Sequence, residues 1–323
     1  SVIDESGVVY SKTFYDSQAR AINNYMAGGV ASYAVAYTTI QISGSKFDVA
    51  SAVVTDPLGA TKNFNFQSSL GINRPTQSVA SCAGCVSMSQ SYTFGTNGRV
   101  STSTDGQGAV ASSAYDSNGL RTQLVEAQGQ SSQRTTNTAW DASLREPMSR
   151  SVLDSNGNLV AKASWVYNAV GQMLASCKAD PAVAGAVSYA CAATGAAPAG
   201  VSRSTYSYCT AVDSTQCPVV GLVLSVTGPR TDVTSTTYYS YYMSTDESGC
   251  GTAGGACHRA GDLYQVADAL GHVSTMVAYD KNGRVVRVRD ANGVVTDSTY
   301  HARGWLLTRT VRANADGTPS SND

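Results

Sequence analysis

The stretch Tyr279-Asp280-Lys281-Asn282-Gly283-Arg284 returns 21 residues later as Tyr300-His301-Ala302-Arg303-Gly304-Trp305. Asp268-Ala269-Leu270-Gly271, just ahead of it, returns 22 residues later as Asp290-Ala291-Asn292-Gly293. Two turn signatures alternate: an aromatic with Gly four residues on, and an Asp with Gly three residues on. Repetition at a short fixed period implies one continuous structure, because no single copy can bury its own apolar face.

The same units run back through the chain. Phe94 precedes Gly98, Tyr115 precedes Gly119 and Tyr167 precedes Gly171, each at the offset of Tyr279 and Gly283 or Tyr300 and Gly304. Tyr15 keeps the frame with Ala19 in the Gly position, and Trp140 keeps it with Leu144. The acidic unit recurs at Asp4, Asp56, Asp105, Glu126 and Asp154, besides Asp268 and Asp290. Roughly ten to fourteen residues separate an acid from the next aromatic, which is strand-turn-strand spacing.

Turn chemistry agrees with that spacing. Asn-Gly at 97–98, 118–119, 156–157, 282–283 and 292–293 predicts two-residue type I′ hairpins. Each Asp can accept N–H bonds within its own turn. Where Ala or Leu replaces Gly, a wider turn or a shifted register is expected. Between turns, Val286 and Val288 share one face while Arg287 and Arg289 share the other. No segment carries a helical apolar period with caps, so the chain reads as all-β and antiparallel. The repeat is readable over residues 1–175 and 263–323, and residues 176–262 read as Cys-, Gly- and Ala-rich insertions on the same frame.

Composition narrows the function. Charged residues are 14% and net charge is −1, which gives no electrostatic case for nucleic acid or an anionic membrane. No apolar run reaches the length of a membrane span. The N-terminus is already in repeat register, which argues for a piece of a longer chain. Tyr, with 18 copies, outnumbers five Phe and three Trp. Tyr15, Tyr115, Tyr167, Tyr279 and Tyr300 share one repeat position, which suits a structural ladder of rings with hydroxyls available to bond. Tyr241 and Tyr242, in the run Tyr238-Tyr239-Ser240-Tyr241-Tyr242, are the local candidates for glycan or partner binding.

The eight cysteines are unevenly placed. Disulfides stapling the insertions are favoured, with Cys209–Cys217 and Cys250–Cys257 the simplest local pairs. Cys82 and Cys85 form half a zinc ribbon at most, and a thioredoxin-like role needs a βαβ context that their strand-like flanks lack. His272 and His301 occupy turn positions, so no Ser-His-Asp triad has independent support. The acids at 56, 105, 154, 268 and 290 are turn residues by position. No catalytic residue, cofactor or metal site is expected.

The unit Tyr-Asp-x-x-Gly-Arg followed by Asp-x-x-Gly, as at Tyr279 to Arg284 and Asp290 to Gly293, resembles the Rhs/YD repeat. The resemblance implies a β-sheet wound into a spiral that closes a hollow shell. In bacterial toxin complexes and polymorphic toxins such a shell encloses a C-terminal toxic domain; in teneurins a similar shell belongs to an adhesion receptor. It therefore implies a non-catalytic scaffold, secreted or on a bacterial surface, whose partners are the rest of its own chain and a C-terminal toxin cargo. A surface adhesin binding glycans or proteins is the alternative. Asp56-Pro57-Leu58-Gly59-Ala60 resembles half of the family's self-cleavage motif, but it sits in an ordinary acidic turn slot and reads as a turn.

Overall fold

The hairpin turns set the architecture, and they are not the two-residue turns expected from Asn-Gly. In the computed structural model, which describes residues 1–43, 46–81, 88–250 and 256–323, the turn Asp154 to Asn158 closes with two backbone bonds. Asp154 N–H donates to Asn158 O at 2.9 Å, and Gly157 N–H donates back to Asp154 O at 3.1 Å. Gly157 has φ +84°, whereas none of the five Asn residues of the Asn-Gly pairs has positive φ. This is the three-residue hairpin, a type I turn followed by a left-handed residue that forms a bulge. Only the Gly needs the left-handed region; the Asn beside it does not. Asp4, Asp16, Asp56, Asp105, Asp116, Asp268, Asp280 and Asp290 close their turns with the same pair of bonds.

The Ala and Leu variants diverge. Ala19 takes φ +58° and keeps the ordinary turn, with Asp16 N–H on Arg20 O at 2.9 Å. No widening occurs, and the cost is borne as backbone strain. With Leu144 the turn does widen: Asp141 N–H reaches Glu146 O, and Arg145 becomes the left-handed residue at φ +60°. Glu126 also departs from its expected place. It is the last residue of its strand, paired opposite Arg134, and not a turn acid.

The described residues form 23 strands and one three-residue 3-10 segment. The chain divides into two compact units, Ser1–Trp140 with Arg150–Val160, and Asp141–Ser149 with Ala161–Asp323. In the first, every strand from Val2–Ile3 to Arg134–Trp140 pairs antiparallel with the next in sequence. In the second, the same rule holds from the strand ending at Tyr167 to Leu306–Val311. Consecutive pairing through short turns is what the alternating repeat requires.

The repeat continues through residues 176–262. Strands Met173–Ala179, Val201–Tyr208, Val223–Thr227 and Thr236–Tyr241 pair in order, and the extra residues enter at turns. Asp180 N–H donates to Gly200 O, so residues 181–199 expand an acidic turn. Cys209 N–H donates to Leu222 O while Gly221 N–H donates back to Cys209 O. Tyr242, Asp262 and Gly261 repeat that closure. Gly221 and Gly261 have φ +92° and +94°, so each insertion lies ahead of an intact turn glycine.

Three disulfides sit at these insertions: Cys177–Cys191, Cys209–Cys217 and Cys250–Cys257. Cys82 and Cys85 lie outside the described residues. Cys177, Cys209, Cys217 and Cys257 are buried, as are Ala175, Ala186, Ala278 and Tyr279, while Val295 is buried against Gly317. Elsewhere the strands are half-covered, as in Val100–Thr104 and Val223–Thr227, where every residue is intermediate.

Among the described residues, Ala19→Gly relieves the one ordinary-length acidic turn that lacks its glycine. Expected is a stabilisation of roughly 1 kcal/mol, read as a raised urea midpoint, because Gly adopts positive φ without the Cβ clash.

Candidate functional site

The repeated residues act as a unit, and each position of Tyr-Asp-x-x-Gly-Arg has a job. The Asp carboxylate holds the turn from inside. In Asp280, Oδ1 accepts the N–H of Asn282 and Arg284 at 2.9 and 3.0 Å. Asp56, Asp105, Asp154, Asp268 and Asp290 each accept the corresponding two N–H groups. His301 stands in the Asp slot, and its Nδ1 accepts the Arg303 N–H. Asp56 is thus held like any other turn acid.

The aromatic ties one hairpin to the previous one. In the first unit Tyr37 OH donates to Ala21 O, Tyr115 OH to Val100 O and Trp140 Nε1–H to Arg121 O, at 2.7, 3.0 and 3.0 Å. In the second, Tyr167, Tyr208, Tyr241, Tyr279 and Tyr300 donate to Pro147, Met173, Val223, Leu263 and Val285 O. Every acceptor is the first residue of a strand. The register slips at Tyr115, Tyr167, Tyr208, Tyr241, Tyr279 and Tyr300, as a turn bulge demands, and the next aromatic satisfies the strand-opening carbonyl. Tyr15, 62% exposed, stands outside this ladder.

The arginine completes the link. Arg20 and Arg284 pair with Asp16 and Asp280 at 2.7 Å and lie over Tyr37 and Tyr300, the next aromatics, at 4.9 and 5.0 Å. Arg99 lies over Tyr115 at 5.6 Å and Arg74 over Phe94 at 5.7 Å. Gly119 and Gly98 leave room for those guanidinium groups, where a Cβ would collide with Arg99 and Arg74. Gly171, Gly283 and Gly304 provide the left-handed turn residue, with Arg284 passing near Gly304.

Electrostatics follow from these bonds. The Arg20 N–H, with its guanidinium, holds the Asp16 carboxyl below its ordinary value. The Asn158 side chain and N–H lower Asp154, and the His272 N–H and ring lower Asp268. Burial pushes Asp280 up, but the Arg284 N–H and guanidinium prevail and the net shift is down. Asp297 is lowered by Arg287, which faces it in register and grips it at 2.7 and 2.8 Å, and by Arg312. Burial, with Asp262 and Tyr242 nearby, pushes the Tyr279 hydroxyl up to about 12.

Tyr241 and Tyr242 are both hydrogen-bonded inward. Tyr241 OH holds the ladder bond to Val223, and Tyr242 OH reaches Met276 O at 2.8 Å while its ring stacks on His258 at 3.8 Å. Among the described residues no group of three His, Cys, Asp or Glu is placed to hold a metal, and no helix is long and apolar enough to cross a membrane.

One feature escaped the sequence reading. In the first unit a concavity of about 680 Å³ is lined by Arg99, Arg121, Arg134 and Arg150, with Glu126, Tyr115, Leu124, Thr136, Thr138 and Trp140. The alternation of Arg134, Thr136, Thr138 and Trp140 along one strand face was the available signal.

Turns of this kind at this spacing define a β-repeat protein. The RHS Repeat family model matches residues 279–318, so that stretch is an Rhs/YD repeat. A solved structure of TcdB2-TccC3 without its hypervariable C-terminal region aligns over 95% of this chain at 11% identity, with TM-score 0.40. The Tc holotoxin pore of Photorhabdus luminescens aligns over 95% at 13% identity, with TM-score 0.38. This chain spans 17% of each of those chains. No curated protein matches it in sequence.

Two predictions test the ladder and the turn acids. Tyr279→Phe removes the 2.6 Å bond to the half-buried Leu263 carbonyl and is expected to cost about 1 kcal/mol in urea unfolding. Tyr15→Phe is expected to change the midpoint little. The acids have depressed folded values, so their stabilisation is full above an ordinary carboxyl value of 3.8 and is lost as pH falls through the folded values. Thermal midpoints are expected to be flat near neutral pH and to drop below about pH 4, with a shallower acid slope for Asp297→Asn.

Proposed function

We propose that this chain is a non-catalytic wall segment of an Rhs/YD β-shell that encloses or presents a C-terminal toxin or effector domain of the same polypeptide. The observation that carries the reading is the occupation of the repeated polar groups. The turn acids are bonded to backbone N–H, most repeat aromatics donate to a strand-opening carbonyl, and the turn arginines lie over the next ring. Groups used in this way build a surface and are not available to a substrate. A wall of consecutive antiparallel strands hides the edges that would otherwise pair with other chains, which suits a container. A secreted or bacterial surface location agrees with the three disulfides, which persist in oxidising compartments.

The adhesin reading has less support, since the hydroxyls of Tyr241 and Tyr242 already donate to backbone carbonyls. Limited proteolysis of the full-length gene product tests the enclosure. A C-terminal domain that resists protease while attached, and is digested when expressed apart from the repeats, is expected. Equal digestion in both contexts refutes enclosure.

A further inference from the structure

The concavity of the first unit gathers three arginines that have no carboxylate partner among the described residues. Arg20, Arg284, Arg287 and Arg312 are each tied to an aspartate. Among the described residues, Arg99, Arg121 and Arg134 lie within ion-pair distance of no carboxylate, although Glu126 stands across from Arg134 in register. Three guanidinium groups without an ion-pair partner therefore share a recess with one carboxylate, in a chain whose net charge is −1. Like charges gathered in this excess repel one another, and a bound anion relieves that repulsion.

The layout indicates the shape of the ligand. Arg121 pairs opposite Tyr115 at one end, and Arg134 pairs opposite Glu126 at the other. Arg134 and Trp140 lie on one face of one strand, about 20 Å apart at the usual rise. That length fits an extended segment of about six residues. Thr136 and Thr138 lie between them, and Leu124 and Val152 supply apolar contact. Arg99 is pinned: it stacks on Tyr115 and rests against Gly119, where any Cβ would displace it. The same stacking covers the Tyr115 ring, and Trp140 spends its N–H on the Arg121 carbonyl, so neither ring is a bare platform for a sugar. Guanidinium forks matched to carboxylates are the recognition chemistry that remains.

We propose that this recess binds an extended acidic polypeptide segment, with Arg99 and Arg121 at one end, Arg134 at the other, and Arg150 on the neighbouring strand. The inference stands apart from the enclosure reading. Its test uses the 323-residue chain alone, so either can fail without the other.

The probe is a short fluorescein-labelled peptide with Glu at every second position and Ser or Gly between, followed by anisotropy. Saturable binding is expected, weakened by added salt and absent for the matching Gln peptide. The Arg121→Gln/Arg134→Gln double variant is expected to bind at least about tenfold more weakly. Arg309→Gln, outside the recess, is expected to bind like the parent chain. Both lining arginines are exposed, and an unchanged urea midpoint for the double variant confirms that it folds. Failure to saturate, equal loss in Arg309→Gln, or tighter binding of a heparin-derived oligosaccharide than of the Glu peptide overturns the proposal.

Discussion

The structure depends on one hydrogen-bonding arrangement, a carboxylate oxygen that accepts two backbone N–H groups from the loop it begins. Without it a three-residue hairpin rests on its two closing backbone bonds alone, as at Gly95 to Arg99. Where the oxygen accepts the N–H groups two and four residues on, the loop holds three residues, the left-handed position falls on the third, and the bulge that follows sets the register of both strands. Asp56, Asp154, Asp268 and Asp290 repeat the arrangement with little variation, and His301 reproduces part of it with a ring nitrogen. A local interaction thereby controls long-range order, because each turn hands a defined register to the next.

Between turns the aromatic and the arginine do complementary work. The aromatic hydroxyl or indole satisfies the carbonyl that opens the strand after the preceding aromatic turn, and the arginine covers the ring that makes that bond. Half-covered strands offer little apolar burial on either face, as the all-intermediate pattern of Val100–Thr104 illustrates. Directional bonds from one hairpin to another supply the rigidity that a thick core would otherwise give. Asp297 extends the principle within a strand, gathering Arg287 and Arg312 on one carboxylate.

Much of this was legible in the sequence, because period and turn chemistry are local properties. The strands and their antiparallel order follow from spacing, and Cys209–Cys217 and Cys250–Cys257, the simplest local pairs, are the ones formed, whereas Cys177–Cys191 was not named. The turn type did not follow, since Asn-Gly suits both a two-residue and a three-residue hairpin and only the bonding of the upstream Asp decides. Counting outward from the turn at Asp290 to Gly293 would have placed Asp297 opposite Arg287, yet that count needs the bulge to be known. The individual units within residues 176–262 were unreadable because Tyr208 and Tyr241 lose their glycine partners to the insertions, which push Gly221 and Gly261 far downstream. The arginine recess was hidden for another reason: its members come from separate strands and meet only across the sheet.

The insertions carry one more consequence. The insertions after Cys209 and Tyr242 each enter between a closing pair of backbone bonds and a left-handed glycine that remain intact, and the one after Asp180 is closed by a single bond to Gly200. The strands on either side therefore receive the same geometry whether the loop holds three residues or nearly twenty. The sheet behaves like a rack with sockets: what is plugged into a socket can change in length while the rack keeps its pitch. Loop length and sheet continuity are thereby decoupled.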